Sequence, residues 1–210
     1  MSDYTFPFDT CEKPNKKGMA QPYSVIVNFI STLIIIYFLC QTRHFYSFIL
    51  IFTILIFEIF HNYSHMVHIK GKIQTHIIHF LGILINFLYM NALYNFTHVF
   101  PNKYFIFFIF IVLCVDMYSI INLSFMYYFA TQLTITISTF LYYYRYLPHK
   151  YKIKTQYFIC TIFIIFIAFM NEKLNCKKML SMYPDFPFHA ITEIIGVIAF
   201  YLAVSLFYKM

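Results

Sequence analysis

Residues 58–68 read Glu58-Ile-Phe-His-Asn-Tyr-Ser-His-Met-Val-His68 and end a long apolar run. On a helix that advances 100° per residue, the polar members of this stretch fall within about 120° of arc. They are Glu58, His61, Ser64, His65 and His68. Ionisable side chains within a membrane span cost roughly 2.5–3.5 kcal/mol each on insertion scales and normally face partners inside a bundle. The stretch therefore predicts a helix whose polar face is directed at protein or water. A metal site or a proton path is the first hypothesis, and a His-rich segment at the lipid headgroups is the alternative.

Composition places this helix in a membrane protein. Of 210 residues, 61% are hydrophobic and only 11% are charged, whereas soluble proteins have about 25% charged residues. Seven apolar stretches approach the ~20 residues that cross about 30 Å of hydrocarbon. They are 24–41, 45–63, 77–94, 104–122, 123–143, 156–170 and 190–208. The predicted fold is all-α: a polar tail, 1–23, followed by an integral membrane bundle of seven transmembrane helices, 24–210.

The charge distribution and the cysteines indicate which binding partners and which disulfide bonds to expect. The net charge is +7, but the basic residues are spread over short loops, so nucleic acid is not an expected partner. The expected partner is the lipid bilayer, and the expected location is an endomembrane if the source is eukaryotic or viral. The five cysteines contain no CxxC pair and predict no disulfide framework. A single bridge stays open between Cys11 and Cys176, which share a side if the count of seven spans is right.

The tail gathers oxygen-bearing side chains just before the first span. It reads Asp9-Thr-Cys-Glu-Lys-Pro-Asn15 and continues through Gln21. Calcium prefers six to eight oxygen ligands from carboxylates, amides and backbone. The tail is therefore either a cation-binding segment or a solvated segment with a few turn residues.

The middle spans carry isolated polar groups. His76 and His79 open span three on one face. Asp116 lies within span four, where its ionised form would be costly in lipid, so it must protonate or find a partner. Polarity continues into span five, where interhelical hydrogen bonds are expected to serve packing rather than a site. The residues are Ser119, Asn122, Ser124, Thr131, Gln132, Thr134 and Thr136.

The start of the last span repeats the chemistry of residues 58–68. After a predicted loop from Glu172 to Asp185, Asp185 can cap a helix and Pro187 suits its first turn. His189 and Glu193 then share a helix face, a geometry suited to zinc. Catalytic zinc takes three protein ligands and leaves one position for water. One histidine of span two with His189 and Glu193 would complete such a set.

Three stretches together resemble the alkaline ceramidases, a family within a superfamily of seven-helix membrane hydrolases that includes adiponectin-receptor-like proteins. Asp9-Thr-Cys11-Glu12 with Asn15, then Gln21-Pro22 and Asn28, is similar to the family's opening D-x-C-E…N, E-P and helix-one asparagine. Ser64-His-Met-Val-His68 is similar to its Ser-x-x-x-His, and His189-Ala-Ile-Thr-Glu193 to its final H-A-x-x-H.

The resemblance implies a zinc-dependent hydrolase that cleaves the amide of a lipid such as ceramide into a sphingoid base and a fatty acid. It implies His68, His189 and Glu193 as zinc ligands, with Ser64 stabilising the oxyanion. It also implies a possible calcium shell of Asp9, Glu12, Asn15 and Gln21.

Departures from the family pattern leave alternatives open. Gln21 replaces a glutamate, and one extra residue separates Glu12 from Asn15. Span three has no acidic residue, so His79, or else His76, would have to serve as the base. Residues 58–68 hold surplus histidines, so His61 or His65 could replace His68 as the ligand. The chain is thus predicted to be a divergent member with altered metal or substrate, or one without catalysis.

Two other classes compete with an enzyme. One is a non-catalytic multi-pass protein, receptor-like or structural, whose histidines sense pH or pack. The other is a small transporter with a proton relay of Glu58, Asp116 and histidines. The absence of paired Gly- or Pro-broken spans argues against the transporter.

Overall fold

The structure is a computed structural model that describes residues 11–13, 15, 19–67, 72–121 and 125–210, with backbone alone at 72–75 and 125–126. These residues form seven α-helices and no strand. The helices are α1 (Pro22–Gln41), α2 (Phe45–Val67), α3 (Lys72–Thr97), α4 (Lys103–Ile121), α5 (Phe125–Tyr144), α6 (His149–Met182) and α7 (Phe188–Phe207). The predicted all-α class is confirmed.

Six of the described helices are long and apolar enough to cross a membrane, which is what a multi-pass membrane protein requires. The exception is α5, whose Thr, Gln, Ser and Tyr side chains lower its mean hydropathy. The outer surface is correspondingly apolar, with large side chains such as Phe29, Leu33, Phe107 and Phe110 exposed. Many polar residues are instead buried inside the bundle, so the distribution of polar and apolar side chains is the reverse of that in a soluble bundle.

Two boundaries differ from the sequence-based prediction. The predicted loop after span six is wrong, because α6 continues as helix to Met182. Its last turns, 172–182, are rich in Lys, Leu and Met, which favour helix outside the apolar run as well as within it. Asp185 does not cap α7: the cap position is Pro187, which makes no side-chain cap bond. Asp185 instead lies 3.4 Å from the exposed Lys13 ammonium.

Five helices surround the centre of the bundle, and the other two pack against the outside of these five. Side chains of α2, α3, α5, α6 and α7 line an internal cavity. The outer helix α1 packs against α2 and α7, and α4 packs against α5. One end of the bundle is closed by a packed core of residues such as Phe38, Tyr143 and Phe207. The polar site lies at the other end, where α1, α3 and α7 begin and α2 ends.

A disulfide joins the N-terminal segment to α6. The pair is Cys11 and Cys176, the one bridge that the sequence left open. Because Cys11 lies before α1 and Cys176 lies near the end of α6, the bridge fixes the N-terminal segment to the polar end of the bundle.

Candidate metal centre and cavity

Four side chains from α2 and α7 converge at the polar end of the bundle. His65 Nε2 lies 3.1 Å from His61 Nε2 and 3.5 Å from Glu193 Oε1. His61 Nε2 lies 3.9 Å and His189 Nε2 2.9 Å from the same carboxylate oxygen. The Nε2 atoms of all three histidines therefore face one carboxylate oxygen, Glu193 Oε1.

Helical spacing explains the convergence. His61 and His65 are four residues apart on α2, and so are His189 and Glu193 on α7, so each pair shares one face of its helix. The two helices bring these faces together, with the His65 and His189 ring centroids 5.3 Å apart. His65, His189 and Glu193 are buried, while His61 keeps a 17% exposed side chain.

Each imidazole directs its other nitrogen, Nδ1, away from the centre toward an oxygen. His65 Nδ1 hydrogen-bonds Gln21 Oε1. His189 Nδ1 lies 3.0 Å from Glu172 Oε2, and His61 Nδ1 lies 3.6 Å from Glu58 Oε2. A histidine that donates Nδ1–H outward leaves the Nε2 lone pair for a metal, which is the usual arrangement around zinc.

The donor set fits a zinc ion on three grounds. Imidazole nitrogens and a carboxylate oxygen are ordinary zinc ligands, and His61, His65 and Glu193 offer ligand atoms within 4.8 Å of one another. His189 Nε2 is buried and, within the described residues, has no partner other than Glu193 Oε1 at 2.9 Å, which is itself a candidate ligand. Three buried carboxylates, Glu58, Glu172 and Glu193, each lie within 4.0 Å of a histidine. If the imidazoles are neutral, a divalent cation would offset this negative charge.

A long apolar cavity of about 320 Å³ leads from this cluster into the bundle. Its α7 wall runs from His189 to Ala203, a distance of about 21 Å at 1.5 Å per residue. The remaining wall is mostly Phe, Ile and Leu, with Asn86, Gln132 and Thr136 as polar members. The shape and lining suit one extended hydrocarbon chain, with the histidines and Glu193 at one end.

Small residues make room for this cavity. Gly196, Ala199 and Ala203 form much of its α7 wall, and two of the four glycines in the chain line it. The second is Gly82 on α3, where an added Cβ would overlap the Tyr128 hydroxyl. Glycine thus permits the close approach of α3 and the Tyr128 hydroxyl, which would have to shift if a Cβ were added.

The structure places the remaining predicted site residues at different distances from this cluster. His68 and Asp9 lie outside the described residues. The hydroxyl of Ser64 donates to the His61 carbonyl at 2.5 Å, within its own helix. His79 is buried and stacks on Tyr128, with ring centroids 4.0 Å apart. Neither Ser64 nor His79 belongs to the described cavity lining, and their catalytic roles stay predictions.

The described members of the predicted calcium shell contact the protein itself. Glu12 accepts hydrogen bonds from the Tyr23 and Ser24 backbone N–H groups and from the Ser24 hydroxyl, so it satisfies the first turn of α1. Asn15 accepts from the Met19 N–H. Calcium binding by these residues stays a prediction.

Sequence reasoning missed Glu172 as a site residue. Its Oε1 accepts from the Cys11 N–H at 2.7 Å, while its Oε2 accepts from His189 and, at 3.3 Å, from the Thr192 hydroxyl. The available signal was its position: it directly follows the apolar run of α6, as His189 lies in the first turn of the apolar helix α7.

A second buried polar cluster joins α4 to α5 and α3. Asp116 accepts hydrogen bonds from the Thr131 hydroxyl and, at 2.9 Å, from Gln132 Nε2. Asn86 Nδ2 donates to Gln132 Oε1 at 2.5 Å, and Thr136 donates to Asn86 Oδ1 at 2.6 Å. The predicted interhelical hydrogen bonds are therefore present at Thr131, Gln132 and Thr136, and Asp116 has partners. Ser119 and Thr134 bond carbonyls of their own helices, and Asn122 and Ser124 lie outside the described residues.

No family model, no curated protein and no solved structure matches the chain.

Proposed function

We propose that the protein is a zinc-dependent lipid amide hydrolase, similar in activity to the alkaline ceramidases, that cleaves ceramide-like lipids into a sphingoid base and a fatty acid. The observation that carries the proposal is the position of the four converging side chains at one end of a chain-shaped apolar cavity. The proposal takes all seven helices as spans, since α5 packs against α3, α4 and α6 despite its polar side chains.

His65, His189 and Glu193 would hold the zinc. The proposal thus takes His65 for the position that the resemblance gives to His68. Bound zinc would polarise the amide carbonyl and make a water molecule acidic. The three side chains would fix the position of the zinc, because each side chain is buried and both imidazoles are held by hydrogen bonds at Nδ1.

The cavity would position the substrate. Its apolar wall would take up one hydrocarbon chain, and burial of each methylene is worth about 0.8 kcal/mol. A chain inserted from the polar end would leave its amide beside the histidines and would exclude water from the depth of the bundle. Orientation of this kind can lower a reaction barrier by several kcal/mol.

The test is hydrolysis of a fluorescent long-chain ceramide by purified protein, with bound zinc measured in the same samples. We expect about one zinc per chain and turnover in the wild type, and loss of both in His65→Ala and His189→Ala. His44→Ala is the matched control, because His44 lies at the opposite end of the bundle beside Met210. A wild type that binds zinc but cleaves no amide would refute hydrolysis.

His68→Ala, measured in parallel, separates the two possible ligands of α2. Normal zinc content in His68→Ala with loss in His65→Ala is the expected pattern. The reverse pattern would return the ligand role to His68.

One observation favours a second candidate, a non-catalytic metal site. Four donors converge rather than three, because His61 Nε2 also faces the centre. A metal held by four protein ligands is typical of structural sites, whereas catalytic sites keep one position open. The proposed enzyme requires that His61 stay outside the zinc shell, which its greater exposure favours.

A further inference from the structure

The N-terminal segment, residues 11–13, 15 and 19–21, lies against α2, which carries His65, and against α6, which carries Glu172, the partner of His189. The Ala20 and Gln21 N–H groups donate to the Met66 and His65 carbonyls at 3.1 and 3.0 Å. At its other end, the disulfide and the Cys11 N–H attach the segment to α6. The segment is therefore fixed at both ends beside the candidate metal centre.

Gln21 reaches the centre through its side chain. It is 1% exposed, and its Oε1 accepts the hydrogen bond from His65 Nδ1. Its Nε2 makes no hydrogen bond within the described residues, although an unpaired buried amide donor destabilises a fold. The amide of Gln21 is thus buried with its donor unpaired, while its oxygen accepts the hydrogen bond from His65.

Glu172 is the corresponding contact on the other histidine. Its Oε2 lies 3.0 Å from His189 Nδ1, and its Oε1 is held by the Cys11 N–H at 2.7 Å. The carboxylate is therefore fixed between the N-terminal segment and His189. Pairs of this kind, a carboxylate behind a histidine, set the orientation of metal-binding imidazoles.

We propose that the N-terminal segment is a positioning element of the metal centre. Gln21 orients His65, and Cys11 fixes Glu172, which orients His189. The inference rests on the proposed metal centre, but not on hydrolysis. It gives Gln21 a role toward zinc, in place of the calcium shell that the resemblance implies for this position.

The experiment measures zinc affinity of the full-length protein in detergent by competition with a chelator. Gln21→Leu and Glu172→Gln should each bind zinc about 10- to 100-fold more weakly, as is typical when an outer partner of a metal ligand is lost. Gln21→Glu should bind at least as tightly as the wild type, because a carboxylate accepts the same hydrogen bond with added negative charge.

Gln132→Leu is the matched control, since it removes another buried amide that contacts no histidine of the centre. It should keep wild-type zinc affinity. Thermal unfolding of the metal-free proteins separates affinity from folding. If Gln21→Leu does not fold, Gln21→Met keeps the side-chain length without the amide oxygen.

Cobalt in place of zinc supplies a second measurement. Its visible absorption should change in Gln21→Leu, since ligand geometry changes, and stay constant in Gln132→Leu. Zinc affinity and cobalt spectra of folded Gln21→Leu equal to those of the wild type would overturn the inference alone. A wild type without zinc affinity would overturn the proposed function and this inference together.

Discussion

At the scale of single residues, the centre depends on which imidazoles donate to the metal. His65 and His189 are buried, and each directs Nδ1 to an oxygen within hydrogen-bonding distance. His61 is partly exposed, and its Nδ1 lies 3.6 Å from Glu58. Under the proposed function, these contacts favour the first two histidines as zinc ligands and leave His61 beside the open position, although His61, His65 and Glu193 are the three whose ligand atoms lie within 4.8 Å of one another.

We therefore expect His61→Ala to bind zinc no more than about 10- to 100-fold more weakly than the wild type, since a neighbour of the ligands rather than a ligand is lost. Dialysis against a weak chelator followed by metal analysis checks this, with His189→Ala as the metal-free reference. Equal loss of zinc in both variants would identify a closed four-ligand site and favour the non-catalytic candidate.

Glu193 is the second of the two candidate ligands that α7 supplies, four residues after His189. Glu193→His should retain zinc, because imidazole is an equally good ligand at that helix position, whereas Glu193→Ala should lose most of it. Metal content of the two variants tests the ligand role independently of catalysis. Zinc retained in Glu193→Ala would remove Glu193 from the shell.

At the scale of helices, hydrogen bonds join elements that apolar packing alone would hold loosely. Asp116 on α4 bonds Thr131 and Gln132 on α5, and Gln132 continues to Asn86 on α3. Asp116→Leu and Gln132→Leu should each destabilise the protein by about 1–3 kcal/mol. The double variant should show a coupling of 0.5 kcal/mol or more, roughly the lower limit for residues in one network.

Thermal or denaturant unfolding in one detergent measures this cycle. Thr134→Ala is its control, since the exposed Thr134 hydroxyl bonds the Ala130 carbonyl within α5 and, among the described residues, joins no other helix. Strictly additive effects of the two substitutions would show that the helices are held by other contacts.

Helices were the part of the fold that the sequence predicted best. Apolar runs located the helices and placed His65, His189 and Glu193 on two of them, because a polar face on an apolar helix must meet something inside the bundle. Glu172 could not be identified in this way, since a charged stretch after an apolar run also reads as a loop. Its burial depends on the disulfide and on α7, and neither contact leaves a local pattern.

At the scale of the whole molecule, the proposed function requires that the cavity set the length of the hydrocarbon chain that the protein can accept. Ala199 lies ten residues beyond His189 on the same wall, or about 15 Å deeper. Ala199→Phe should therefore lower activity on long-chain ceramide at least about tenfold relative to a short-chain one, since several buried methylenes are lost.

The measurement is the ratio of kcat/KM for the long-chain ceramide to kcat/KM for the short-chain one, in the variant and in the wild type. Zinc content should stay at the wild-type value, because Ala199 is far from the ligands. Ala130→Phe adds the same ring at an exposed position of α5 that does not line the cavity, and should leave the ratio unchanged. An unchanged ratio in Ala199→Phe as well would mean that the chain binds elsewhere.

The bridge between Cys11 and Cys176 has a consequence for topology. Disulfides persist in oxidising compartments and are reduced in the cytosol, so we expect the N-terminal end of the bundle to face the lumen or the cell exterior. The converging histidines lie at that same end, and lipid would accordingly reach them from the non-cytosolic leaflet. With seven crossings, Met210 would lie in the cytosol, and the products would first appear on the opposite side of the membrane from the C-terminus.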